Sequence, residues 1–321
     1  MTALEAVSVY VPAVGTPIDD LAGPLGLTEM QLKLFKRFHG LSHVGRDPDT
    51  SLYGLLMKAA AGLDALRGNE HRVRYVLHAR AMPVVAPYPD NPLHEVCHSL
   101  GLDHAIAFTV THQSCASGLL AIDIAGRLLA GVDERSASSR ADTDSGDSPL
   151  ALILSGEKAF TREAQMFVDT TVFGEGAAAC LVSASGTRDR MLSYACNVRG
   201  EFDSATGRND ARLQQEYRPS LAEVMREALD KAGVTLDDIQ IVLPHNVNLV
   251  TWQRMSTLLG LPRDRVLLEN ISLNGHVYCA DMFINYRTAC DRGLLRPGGK
   301  YLAAAVGAGG GATFAAMVFE H

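Results

Sequence analysis

The chain has 321 residues, 47% hydrophobic and 20% charged, enough for one large core or two ordinary domains and too apolar for a disordered protein. Its net charge of -7, with no basic stripe interleaved with aromatics, excludes a nucleic-acid binder. Six cysteines (97, 115, 180, 196, 279, 290) without a C-x-x-C pair, and an N-terminus without a signal-peptide pattern, predict free thiols in a reducing cytoplasm.

In chain order, residues 4–12 read as a strand. Residues 27–38 read as an amphipathic helix with Lys33, Lys36 and Arg37 outward, and 50–66 as a second helix capped at Thr50-Ser51. A strand at 73–79, a short helix at 92–100 and a strand at 105–110 follow. That last strand runs into Cys115 and a long apolar helix ending near Gly131. Residues 133–149, rich in Ser, Asp and Arg, predict a mobile surface insertion that cannot form a core. Strands at 150–155 and 173–183 complete the first half.

The second half repeats the order. It has a strand at 191–198, a helix at 221–232 closed by Gly233, a strand at 239–243, a helix at 252–259, and a helix to about Arg292 that His276 begins or precedes. The long uncharged run 301–319 has the length of a membrane span. Gly307 and Gly309 to Gly311 interrupt it, so it reads as two buried strands joined by a glycine turn. Strands alternating with helices in both halves predict α/β layers, with a first half over 1–185 and a second over 186–321.

Four features fall near predicted strand ends, where loops carry function on a rigid scaffold. Cys115 sits where a strand turns into a helix N-terminus, whose unpaired N–H groups stabilise a thiolate. A cysteine in an apolar setting also reads as an inert core residue. The turn Pro244-His245-Asn246-Val247-Asn248 and the segment Asn274 to Asp281 offer His245, His276 and Asp281. Each histidine reads equally as a local structural residue, and Asp281 reads as solvent-facing. The loop Gly307-Ala308-Gly309-Gly310-Gly311 precedes a strand, so it is either a hairpin or a functional loop and not a dinucleotide fingerprint. His94, Cys97 and His98 lack a second ligand pair, so no metal site is predicted. A Gly-x-Ser-x-Gly elbow is absent.

Together these motifs resemble the thiolase-like superfamily, specifically its ketoacyl-acyl-carrier-protein synthase III branch. The specific pieces are Ser114 to Gly118, Phe173-Gly174-Glu175-Gly176 with the alanines after it, Pro244 to Asn248, and Gly307 to Gly311. The resemblance implies a five-layered αβαβα core built from two similar halves, a homodimer, and Cys115 and His245 as catalytic residues. It further implies oxyanion or substrate-binding roles for the Cys115 N–H, Ala308, Gly309 and Asn248.

The departures redirect the chemistry. The family's Gly-Asn is Gly275-His276 here, and the final Ser of the same motif is Asp281. In the family, His and Asn hold the enolate formed when a malonyl thioester loses carbon dioxide. An Asn amide donates but takes no proton at neutral pH. A histidine takes one, and a carboxylate beside it orients the ring. The pattern resembles synthase III-like acyltransferases with a Cys-His-Asp site. These move an acyl group from coenzyme A or a carrier-protein phosphopantetheine to a hydroxyl, often on a sugar, or to another carrier. Coenzyme A or carrier protein is then substrate, and no resident cofactor is expected. His276 and Asp281, five residues apart, meet only if His276 precedes a regular helix. The family's docking Arg is Val250 here, and the only Trp is Trp252, leaving Arg208, Arg212, Arg218, Arg254, Arg263 and Arg265 as phosphate candidates. The rival readings are decarboxylative condensation, kept open by His245, and a silent partner subunit, which an intact Cys115 opposes.

Overall fold

The computed structural model describes residues 1–138, 148–202, 211–308 and 311–321; for 133–138, 163 and 211 only the backbone is described. The first half opens with β1 (Ala3–Tyr10). The two-residue strands β2 (Thr16–Pro17) and β3 (His43–Val44) then pair around helices α1 (Ile18–Leu25) and α2 (Glu29–Arg37). Thr28 caps α2 through a reciprocal box with Gln31. Next come α3 (Leu52–Ala61), capped by Ser51, then β4 (Val73–Ala79), α4 (Pro92–Ser99), β5 (Ile106–Val110) and α5 (Ser117–Ser138). β6 (Leu150–Glu157), the short α6 (Arg162–Gln165), β7 (Met166–Phe167), β8 (Thr171–Val172) and β9 (Gly176–Ser183) follow. The second half comprises β10 (Arg190–Arg199), α7 (Ala211–Ala232), β11 (Ile239–Pro244), α8 (Leu249–Leu259), α9 (Glu269–Asn274), α10 (Asp281–Asp291), β12 (Lys300–Ala308) and β13 (Ala312–Glu320).

The strand order is β11-β12-β13-β10-β1-β9-β6-β4-β5, and it has an internal symmetry. In the first half β1, β9 and β6 are antiparallel neighbours, and β6, β4 and β5 are parallel. In the second half β10, β13 and β12 are antiparallel, and β12 and β11 are parallel. The counterpart of β5 shrinks to one parallel bridge between Val242 and Val266. The two sets meet where β1 pairs with β10 at Ala3 and Arg190.

Alternating side chains sort the strands between layers. From β6, Ala151 and Ile153 join the central core while Leu150, Leu152 and Leu154 face α3 and α4. From β13, Ala315, Met317 and Phe319 point to the centre and Phe314, Ala316 and Val318 to α7 and α8. Central helices α5 and α10 supply Leu119, Ile122, Phe283 and Ile284 to the middle. Helix, sheet, helix, sheet and helix thus form five layers of an α/β fold.

Three expectations on element ends need correction. Helix α5 does not stop at Gly131: Leu128, Leu129 and Val132 pack on the core, and the helix runs to Ser138. One glycine in a packed helix costs only about 1 kcal/mol. Residues 133–138 of the expected surface insertion are therefore helical; 139–147 lie outside the described residues. Helix α7 starts ten residues before Leu221 and carries Pro219 within it, with Leu213 buried upstream. Helix α8 starts at Leu249 because Asn248 caps it. The run 301–319 is the antiparallel pair β12 and β13. Among the described residues one helical stretch, Ser114–Val132, is long and apolar enough to cross a membrane, and it is largely packed between the sheets.

Candidate active site

The site lies where the N-termini of the two central helices meet. Cys115 sits in a 3-10 turn just before α5, after Ser114, whose φ of 48° puts it in the left-handed region. Tyr278, with a φ of 47°, makes the equivalent turn before α10. The two helix starts cross so closely that a Cβ on Gly118 would stand 2.7 Å from the Cys279 carbonyl oxygen. The end of β12 presses on the same loop: a Cβ on Gly307 would stand 1.9 Å from the Gln113 carbonyl oxygen. Only glycine permits that approach.

His276 precedes α10 in an extended segment. Its N–H donates to the Val172 carbonyl at 3.1 Å and its own carbonyl accepts from the Gly174 N–H at 2.9 Å. The first half of the chain thereby clamps the histidine of the second. Its Nδ1 lies 2.5 Å from Asp281 Oδ2, and both residues are buried. Cys115 lines the same cavity beside this ring. Burial opposes the charged ring, but the Asp281 carboxylate and then the Cys115 sulfur outweigh it and raise His276 from 6.5 to about 10.

Asp281 is not solvent-facing; it is 1% exposed and its oxygens are fully engaged. Oδ2 accepts from the Asn246 N–H at 2.5 Å as well as His276. Oδ1 accepts from the Val277 N–H at 2.7 Å and Asn246 Nδ2 at 3.2 Å. One turn along α10, Asn285 Nδ2 donates to the Pro244 carbonyl and to Asn246 Oδ1. Asp281 and Asn285 therefore bind the 244–246 turn to α10, and that turn delivers His245.

His245 lines the same cavity as Cys115. Its backbone N–H donates to Ala304, its carbonyl accepts the Trp252 indole N–H at 2.8 Å, and Tyr217 Oη lies 2.5 Å from Nε2. Nδ1 is buried without a hydrogen-bond partner among the described residues. Burial, then the neighbouring His276 charge, depress His245 to about 3, so its ring is neutral.

The cavity measures about 670 Å³ including its mouth. Phe167, Phe173, Leu213 and Val306 make it apolar, and Ala308 lies on its wall. Phe173 stacks on Tyr278 and tilts against His276 at 5.0 Å. Of the other expected residues, Asn248 is placed as a helix cap. Its Oδ1 accepts from Thr251 and its Nδ2 donates to Thr170, so its amide is held by backbone. Gly309 and Arg208 lie outside the described residues. Arg265 donates to the carbonyls of Leu236, Asp237 and Ile239, whereas Arg218 reaches the cavity. Tyr217, Asn246 and Asn285 escape sequence reasoning. Asn285, four residues after Asp281 on a helix, carries the one usable spacing signal. Among the described residues no three His, Cys, Asp or Glu side chains gather as a metal-ligand set.

Comparison with known proteins agrees with this architecture. Residues 229–321 match the family of the 3-oxoacyl-[acyl-carrier-protein] synthase III C terminal. A β-ketoacyl-[acyl-carrier-protein] synthase III of Rhizorhabdus wittichii is 26% identical over 241 residues, covering 70% of each chain. The solved 3-oxoacyl-[acyl-carrier-protein] synthase III of Aquifex aeolicus superposes over 100% of both chains with a TM-score of 0.78 at 20% identity. An acyltransferase named ChlB3 superposes over 99% of this chain and 97% of its own with a TM-score of 0.80 at 18% identity. Residues 229–321 thus match the synthase III C-terminal family, and the chain as a whole shares the thiolase-like fold of these solved structures.

Proposed function

We propose that the protein is an acyltransferase that carries an acyl group from a coenzyme A or carrier-protein thioester, through a thioester on Cys115, to a hydroxyl acceptor in secondary metabolism. The observation that carries this reading is the buried His276–Asp281 pair beside Cys115; the synthase III pattern that the sequence resembles has an Asn at the position of His276. A histidine bonded through Nδ1 to a carboxylate presents its other nitrogen to the reacting atoms.

In the first step the Cys115 sulfur attacks the donor carbonyl, with the α5 N-terminus and the His276 cation beside it. The Cys115 N–H and the loop at Ala308 are the oxyanion donors in this reading. As the tetrahedral adduct collapses, the donor C–S bond breaks. His276 then gives its proton to the departing pantetheine sulfur. Acylation also removes the sulfur charge that helped to raise His276. The now neutral ring accepts the acceptor's O–H proton as that oxygen attacks the acyl carbon, and Cys115 leaves as the thiolate. The pantetheine arm is substrate here, and a carrier protein is one source of it.

The same reading makes the protein a homodimer. β5 is one of the two edges of the sheet order among the described residues and exposes Ile106, which favours pairing with a second copy. A stable monomer at micromolar concentration in light scattering would contradict this.

The test of function is intact-protein mass spectrometry with a panel of acyl-coenzyme A and acyl-carrier donors, followed by a hydroxyl acceptor. One acyl mass should appear, be lost in Cys115→Ala, and in His276→Asn form without being passed on. Carbon dioxide release from malonyl-coenzyme A by the unaltered protein would favour condensation instead.

A further inference from the structure

His245 is neutral and its Nε2 faces the Tyr217 hydroxyl. A neutral imidazole carries one N–H. With the proton on Nε2, it points at the Tyr217 oxygen. With the proton on Nδ1, Nε2 has none and only accepts from Tyr217. Either way His245 has no free donor at Nε2. Nδ1 gives no substitute, because it is buried and has no partner among the described residues.

Tyr217 is firmly placed. It sits on α7, packs edge-on against Phe314 at 6.0 Å and lines the Cys115 cavity. Burial and the nearby Cys115 sulfur keep its phenol protonated.

Holding an enolate takes donors aimed at the developing charge. We propose that Tyr217 is a specificity-determining residue. Its hydroxyl occupies His245 Nε2, withdraws that ring from enolate stabilisation and confines the Cys115 site to acyl transfer. This rests on the acyltransferase reading above. Two changes therefore separate this site from a condensing one: His276 in place of an amide donor, and the phenol over His245. Decarboxylation breaks the bond between the malonyl α-carbon and its carboxylate. Carbon dioxide leaves, and the electron pair passes into the enolate, which then either attacks the acyl carbon, breaking its bond to Cys115 sulfur and releasing the thiolate, or takes a proton from water.

The experiment uses carboxyl-labelled malonyl-coenzyme A with Cys115 already acetylated, and counts released carbon dioxide. His276→Asn alone should release little. Tyr217→Phe combined with His276→Asn should release it faster by about 10²-fold, the worth of one oxyanion donor. Equal rates in the single and double variants overturn the inference. Tyr217→Ala in the same background guards against a Phe-specific packing fault, and Cys115 acylation by mass reports that each variant is folded. ¹⁵N NMR adds a readout that a merely structural role would not move. The His245 Nε2 resonance should shift in Tyr217→Phe, and an unchanged resonance also overturns the inference. Acyl transfer by the unaltered protein is measured in the same series. If it transfers and the double variant gains nothing, only the Tyr217 role fails. If the unaltered protein itself releases carbon dioxide, the acyltransferase reading fails.

Discussion

Asp281→Asn is the sharpest test of the site, because an amide keeps the carboxylate's shape and fails its bonding pattern. Each Asp281 oxygen accepts one immovable backbone N–H, from Asn246 on Oδ2 and from Val277 on Oδ1. Whichever way the new amide turns, its NH₂ faces a backbone donor. The less costly orientation keeps oxygen toward Asn246 N–H and His276 and turns the NH₂ toward the Val277 N–H. Asn246 Nδ2 then loses its acceptor too, and it cannot simply flip while Asn246 Oδ1 holds Asn285. Breaking this buried pair and stranding those donors should cost about 3–5 kcal/mol of stability. The His276 cation also loses its main support, so acyl transfer from Cys115 should fall by about 10²–10⁴-fold. Urea denaturation measures the first number and single-turnover transfer from pre-acylated protein the second. Asp281→Ser, the family's residue, gives the comparison without a misplaced amide donor. If Asp281→Asn unfolded within about 0.5 kcal/mol of the parent and transferred at the parent rate, the site described here would be wrong.

Three further outcomes are expected. Gly307→Ala would place a methyl 1.9 Å from the Gln113 carbonyl oxygen, so the Cys115 loop must move and Cys115 acylation should drop by about tenfold or more, read by intact mass against time. His276 is held above its usual 6.5 at about 10, so its contribution to stability is full below about pH 6.5 and lost as pH rises through about 10. The stability gap between parent and His276→Asn should accordingly narrow with rising pH in denaturation curves. Because the Cys115 sulfur helps to raise His276, acylating Cys115 should lower the His276 titration midpoint in ¹⁵N NMR, and an unchanged midpoint would contradict the proposed switch from acid to base.

Much of the fold was legible because its strands are short apolar runs bounded by turn residues. Those at 73–79, 191–198 and 239–243 match β4, β10 and β11 closely. Helix ends were less legible where packing overrides propensity. The sequence predicts one helix ending near Gly131 and another beginning at Leu221, yet Leu129 and Leu213 bury their turns in the core and both helices run further. In the site, the pairing of His276 with Asp281 could be posed from spacing but not settled by it. It depends on His276 standing outside α10, which the Val172 and Gly174 hydrogen bonds enforce from more than a hundred residues away. Tyr217 left no trace, because one aromatic on an amphipathic helix says nothing of which ring it will meet.

The internal symmetry explains why the chemistry collects at one point. Cys115 precedes the central helix of one half, and His276 and Asp281 stand at the equivalent place in the other. Both positions lie at helix N-termini, which favour negative charge on the sulfur and on the carboxylate alike. Between them stands the His276 cation, attracted from both sides while burial denies it water. An amide at 276 would carry no such charge and would leave the Asp281 carboxylate buried without a counter-ion, a costly arrangement. His276 and Asp281 are thus coupled: each makes the other tolerable, and replacing both removes the stranded charge that replacing His276 alone leaves behind. That yields a concrete expectation. The double change of His276 to Asn and Asp281 to Ser should be more stable than His276→Asn alone, because it removes the stranded carboxylate together with its partner. A double-mutant cycle by urea denaturation measures this coupling, and simple additivity of the two changes would refute it.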